Sequence, residues 1–197
     1  MRLYEGATNK TMPEKYKNKY TIKSARLECY DYSQNGMYFI TICTKNREEN
    51  FGKIENGKMI LSEIGKIAEQ FYQEIPNHFP FVVLDQHVIM PNHAHMVLEI
   101  NWETQSGVET QNFASLHNVA YKNKFGPQSK NLASIIRGYK VGVKKYATMN
   151  GIDFAWQPRF YDHIIRNEIS LNKIREYIQT NPEMWERDRN NVENIWM

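Results

Sequence analysis

A chain of 197 residues, 41% hydrophobic and 24% charged, carries enough apolar surface for one sizeable core and too much to remain unfolded. No apolar run approaches the roughly 20 residues that cross a bilayer, and the opening MRLYEGATNKTMPEKYKNKY has no apolar signal core, so a cytoplasmic protein without membrane contact is expected. A net charge of +3, from 25 Lys+Arg against 22 Asp+Glu, does not by itself call for nucleic acid, and two cysteines exclude a disulfide framework.

Residues 1–23 form a basic arm (Lys10, Lys15, Lys17, Lys19, Lys23), either a solvated tail or a phosphate-contacting segment. The β-rich GMYFITICT (36–44) predicts a strand with Cys43 in the core, and ENGK (55–58) a turn between short extended pieces. LSEIGKIAEQFYQEI (61–75) has helical apolar spacing, with Ser62 as N-cap and Pro76 as stop. Two strands follow, FVVLDQHVI (81–89) and AHMVLEI (94–100), joined by a turn at Met90-Pro91-Asn92. Residues 101–130 are polar and aperiodic, a long loop with Trp102, Phe113, Tyr121 and Phe125 available to stack on bases. Helical spacing resumes over 131–151, with Leu132, Ile135, Ile136, Tyr139, Val143 and Tyr146 inward and Arg137, Lys140 and Lys144 outward. RFYDHIIR (159–166) predicts a strand, and EISLNKIREYIQTNP (168–182) a last helix ended by Pro182. The order is βαββαβ plus a helix. It predicts an α+β, ferredoxin-like or RRM-like antiparallel sheet with packed helices.

Within IMPNHAHMVLEI, strand alternation puts His93 and His95 on one face, where they either share a cation or sit on a wet sheet surface. On the last helix Tyr177 and Asn181 are four residues apart and share a face, with Lys173 one turn before. Leu171, Ile174 and Ile178 form the apolar stripe beside them. A packing role for Tyr177 and a helix-capping role for Asn181 remain open on spacing alone.

The stretch MPNHAH resembles the His-hydrophobic-His signature of the single-tyrosine HUH transposases. In the same order, SARLECYDYSQNGMYFITICTKNRE, GKIENGKMILSEIG, LASIIRGYK, AWQPRFYDHIIRNE and IREYIQTNP are similar to the REP-associated tyrosine transposase branch. The resemblance spans a domain at 24–190 and leaves 191–197 as a tail. It implies a metal-dependent transposase that cleaves and rejoins hairpin-bearing single-stranded DNA through a 5′-phosphotyrosine. Carried over residue by residue, it implies Tyr177 on a C-terminal catalytic helix as nucleophile and His93, His95 and Asn181 as ligands of Mg²⁺ or Mn²⁺. His163 and Lys173 are second-rank candidates near that site. A DNA surface is expected from Arg137, Lys140, Lys144, Lys145, Arg159 and Arg166, and a homodimer is left open. The competing readings are a domesticated, non-cleaving module for DNA or RNA hairpins and a plain metal-dependent hydrolase.

Overall fold

Strand β1 (Gly36–Cys43) is apolar on both faces: Tyr38, Ile40 and Ile42 on one, Phe39 on the other, all buried. Such a strand belongs in the middle of a sheet covered on both sides. The computed structural model describes residues 27, 30–105, 130–188 and 190–191. The basic arm, Cys29, most of the 101–130 loop with Phe113, Tyr121 and Phe125, and residues 192–197 lie outside the described residues.

After β1 comes a small hairpin, β2 (Gly52–Glu55) and β3 (Lys58–Leu61), whose turn places Asn56 and Gly57 at positive φ. Helix α1 (Glu63–Gln73) starts where the Ser62 hydroxyl accepts the Gly65 N–H at 3.1 Å. One short turn, α2 (Ile75–His78), follows. Pro76 therefore does not stop the first helix; it occupies the first turn of a second one, where its missing N–H costs nothing. Strands β4 (Val82–Met90) and β5 (His93–Ile100) form a hairpin across Pro91-Asn92, and α3 (Leu132–Met149) opens with a capping box between Asn131 and Ser134. Strand β6 (Tyr161–Ile165) and α4 (Glu168–Thr180) complete the chain order.

The four long strands lie in the order β4-β5-β1-β6, all antiparallel, as the βαββαβ order predicts. Tyr38, Ile40, Ala94, Met96 and Leu98 face α1 and α3 in the main core. On the other face Phe39, Val97 and Ile165 meet Leu171 and Ile178 of α4. Between Leu84 and His87 one extra residue bulges out of β4. Such a bulge re-aims a side chain, and here Asp85 reaches the guanidinium of Arg175 on α4 with a bidentate pair at 2.9 and 2.5 Å.

Arg175 holds the Asp85 carboxyl below the usual carboxylate range. A depressed carboxyl contributes stability above its unfolded value of about 4 and loses it as pH falls through the folded value. Arg175→Met is therefore expected to lower stability at pH 7, with the gap to wild type closing as pH falls below about 4. Urea melts at both pH values check this.

Close packing also fixes α1. A Cβ at Gly65 would stand 2.1 Å from the Phe51 carbonyl oxygen, which accepts the Ser62 N–H. Gly65→Ala is expected to cost about 1–3 kcal/mol by overpacking, read from the urea midpoint.

Two further expectations are corrected. Cys43 is not core: it is partly exposed on the α4 side of the sheet, paired in register with His93. Trp102 is not a free stacking platform, because its ring stacks on Phe81 at 4.0 Å and its indole N–H donates to the Ser33 carbonyl at 2.7 Å. Among the described residues no helix is long and apolar enough to cross a membrane.

Candidate active site at the end of the sheet

His93 opens β5 and His95 follows on the same face, both buried, with their Nε2 atoms 3.0 Å apart. The Asn92 side chain fixes the first ring. Its Nδ2 donates to the carbonyls of Arg47 (3.2 Å) and Asn190 (2.9 Å), so its Oδ1 is the acceptor that faces His93 Nδ1 at 2.9 Å. The His93 proton then sits on Nδ1, and its Nε2 presents a lone pair. His95 Nδ1 lies 2.9 Å from the Thr41 hydroxyl, which can donate or accept, and the ring stacks on Phe39 with centroids 5.2 Å apart. Thr41 thus serves His95 in either protonation pattern.

Leu171 and Ile178 seat α4 on this face, and Tyr177 stands at the edge of the contact, 39% exposed. Its hydroxyl is 3.1 Å from His95 Nε2 and 3.4 Å from Asp188 Oδ2. One turn on, Asn181 is buried; its Nδ2 donates to Asp188 Oδ2 at 3.2 Å, while its buried Oδ1 has no hydrogen-bond partner among the described residues. The chain then turns back over the site. Trp185 stacks on the His93 ring at a tilt of 29° with centroids 6.0 Å apart, and Asp188 is held by the Asn190 N–H, which donates to its Oδ1 at 2.6 Å.

Ligand atoms of His93, His95 and Asp188 all lie within 4.8 Å of one another. Two imidazole nitrogens and a buried carboxylate form a mixed N/O set able to hold a divalent cation, and the Asn181 amide stands beside that carboxylate. Asp188 was not expected from the sequence. It lies beyond Pro182 in MWERDRNN, where no periodicity marks one acid from another.

The chain is 40% identical over 168 residues to an uncharacterized protein of Haemophilus influenzae, covering 85% of this chain and 91% of that one. A second protein of that organism, named "Putative REP-associated tyrosine transposase", is 26% identical over 153 residues, 77% of this chain and 73% of its own. No family profile matches. A solved REP-associated tyrosine transposase bound to a REP hairpin shares the fold, with a TM-score of 0.51 and 19% identity over 82% of this chain and 73% of that one. The chain is thus similar to REP-associated tyrosine transposases, sharing the fold of the solved one and 26% identity with the named one.

The two second-rank candidates stand close to the site without bonding to it. His163 is exposed on β6, opposite Phe39 in register, and Lys173 is exposed one turn before Tyr177; among the described residues neither makes a hydrogen bond to the site. Five of the six residues expected to touch DNA do come together. Arg137, Lys140, Lys144, Lys145 and Arg159 line one groove of about 720 Å³ between α3 and residues 155–160. Arg166 does not join them; it is exposed between β6 and α4.

Two of the five cations build the groove wall. The Lys140 ammonium donates to the carbonyls of Gln157 (2.7 Å) and Arg159 (3.1 Å), and burial holds it below the usual lysine range. Lys144 donates to the Phe154 carbonyl. These bonds tie the loop to the helix and hold Arg159 at positive φ, a conformation that non-glycine residues adopt only when their surroundings enforce it.

Proposed function

We propose that this protein is a tyrosine transposase that cleaves and rejoins hairpin-bearing single-stranded DNA through a covalent 5′-phosphotyrosine. The observation that carries this reading is the Tyr177 hydroxyl, partly exposed and 3.1 Å from the outermost nitrogen of a buried imidazole pair. A packing tyrosine has no need of that position. The match to a relative bound to a REP hairpin supports the substrate class.

His93 and His95 through Nε2, with oxygens from Asp188 and Asn181, would hold a divalent cation. Bound there, such a cation supplies Lewis acidity to a phosphodiester oxygen. The remaining chemistry belongs to the chain. Stacking on Phe39 and the Thr41 contact keep the His95 ring fixed, so the phenol approaches a preorganised wall. Tyr177 Oη forms a bond to phosphorus as the bond from phosphorus to the 3′ oxygen breaks, and in the net reaction the phenolic proton passes to that oxygen. Ionising a tyrosine of ordinary pKa at pH 7 costs on the order of 4 kcal/mol, which sets what the site must offset. Because one phosphodiester replaces another, the free 3′-hydroxyl can reverse the step and reseal DNA without a nucleotide cofactor.

The test is a denaturing gel of protein incubated with Mn²⁺ and 3′-end-labelled, hairpin-bearing single-stranded DNA. A labelled covalent adduct is expected. Cleavage to a free 5′-phosphate without an adduct would mean a hydrolase, and binding without cleavage a hairpin-holding module; either result rejects the proposal.

A further inference from the structure

We infer that the groove between α3 and residues 155–160 holds unpaired DNA flanking the hairpin, at a distance from the phosphodiester that Tyr177 attacks. This rests on the strand-transfer reading above and assigns one part of its substrate to one surface.

The charge pattern is the first reason. The groove is lined by thirteen residues, of which five are Lys or Arg and none is Asp or Glu. In a chain with 25 basic and 22 acidic residues, such a separation concentrates the positive field in one place. Lys140 and Lys144 are engaged with loop carbonyls, whereas Arg137, Lys145 and Arg159 are exposed and make no ion pair among the described residues. Three cations are left to meet phosphates.

The second reason is the floor. Between the cations the groove is apolar, with Val141, Pro158 and Phe160 among its lining, and Val141 is 59% exposed. A duplex presents phosphates outward and keeps its base faces stacked, so it would leave this floor wet. An unpaired strand presents phosphates and base faces together, which is the combination that single-strand sites accommodate. The volume, about 720 Å³, falls in the range of small-ligand sites and suits a short unpaired stretch rather than a helix.

Position is the third. The groove opens on the α3 side of the sheet, opposite α4, but its wall is bonded to the sheet end that carries the site. Gln157 N–H donates to the Cys43 carbonyl at 2.9 Å and Lys45 N–H to the Ala155 carbonyl at 2.8 Å, and Cys43 pairs with His93. A strand leaving the groove around that end arrives at the imidazole pair.

Fluorescence anisotropy with two probes tests this: a bare DNA hairpin and the same hairpin with unpaired tails, each titrated with full-length protein over a salt series. The variant is Arg137→Gln/Lys145→Gln/Arg159→Asn, in which asparagine tolerates the positive φ and the wall lysines stay. For the tailed probe we expect at least a tenfold loss of affinity and a salt slope shallower by about 2, from roughly 0.7 per single-strand phosphate contact. Affinity for the bare hairpin should stay within twofold, and an unchanged thermal midpoint certifies the fold. Equal losses for both probes, or no loss for either, overturn the inference. The chemistry fails separately: no adduct with tail-dependent binding intact rejects only the cleavage reading, whereas an adduct with tail-independent binding rejects only the groove.

Discussion

Tyr177→Phe is expected to remove the covalent adduct and to lower strand cleavage by a factor on the order of 10⁴ or more, the scale seen when a nucleophile is deleted from a preorganised site. The substitution is conservative for the fold. The ring contacts with Phe39 (centroids 6.2 Å) and His95 (5.2 Å) survive in phenylalanine, whereas the hydroxyl contacts to His95 Nε2 and Asp188 are lost. One partly exposed hydroxyl contributes about 1 kcal/mol, so the melting temperature should move by only a few degrees. Adduct formation and thermal melting measured on the same preparation separate chemistry from stability. An adduct that persists in the variant would place the nucleophile elsewhere, Tyr161 being the next exposed tyrosine on that face of the sheet.

The second large effect belongs to the imidazole pair. His95 is the hub: its Nε2 faces both His93 and Tyr177. His95→Ala is expected to abolish cleavage and cation binding together, and chelation by EDTA should reproduce the loss in wild type. The proof is thermodynamic. A cation bound by the folded state alone raises the melting temperature, by about 2.7 kcal/mol of stabilisation at a hundredfold excess over Kd. Mn²⁺ should therefore raise the midpoint of wild type and leave that of His95→Ala unmoved. Asp188→Asn keeps the shape of the site but removes its carboxylate, and an intermediate shift is expected. Equal shifts in all three proteins would show that the ion binds away from this site.

The sequence pattern carried the architecture well where periodicity was strong. β1, the β4–β5 hairpin, α1, α3 and α4 all follow from alternation, helical spacing and caps, and their order dictates the sheet. The same logic put His93 and His95 on one face and Tyr177 and Asn181 on another, although only packing brings the two faces together. What escaped is what depends on non-repeating chain. Asp188 reaches the site because the segment after α4 doubles back, and Asn92 sets the His93 tautomer from a turn. Nothing in either local sequence signals this. Trp102 looked free because it lies in a polar stretch, yet Phe81 is across the sheet end to receive it. The groove likewise arises only when the 155–160 segment folds back along α3.

The two-residue connection Pro91-Asn92 fixes more than a reversal of direction. Because successive strand side chains alternate sides, inserting a single residue between Met90 and His93 would slip β5 by one place against β1. The imidazoles would swing into the main core and Ala94 and Met96 would take their places under α4. Hairpin length is thus as strict a determinant of the site's geometry as the histidines themselves, and an engineered insertion there is expected to part the imidazole pair from Tyr177 without removing a single side chain.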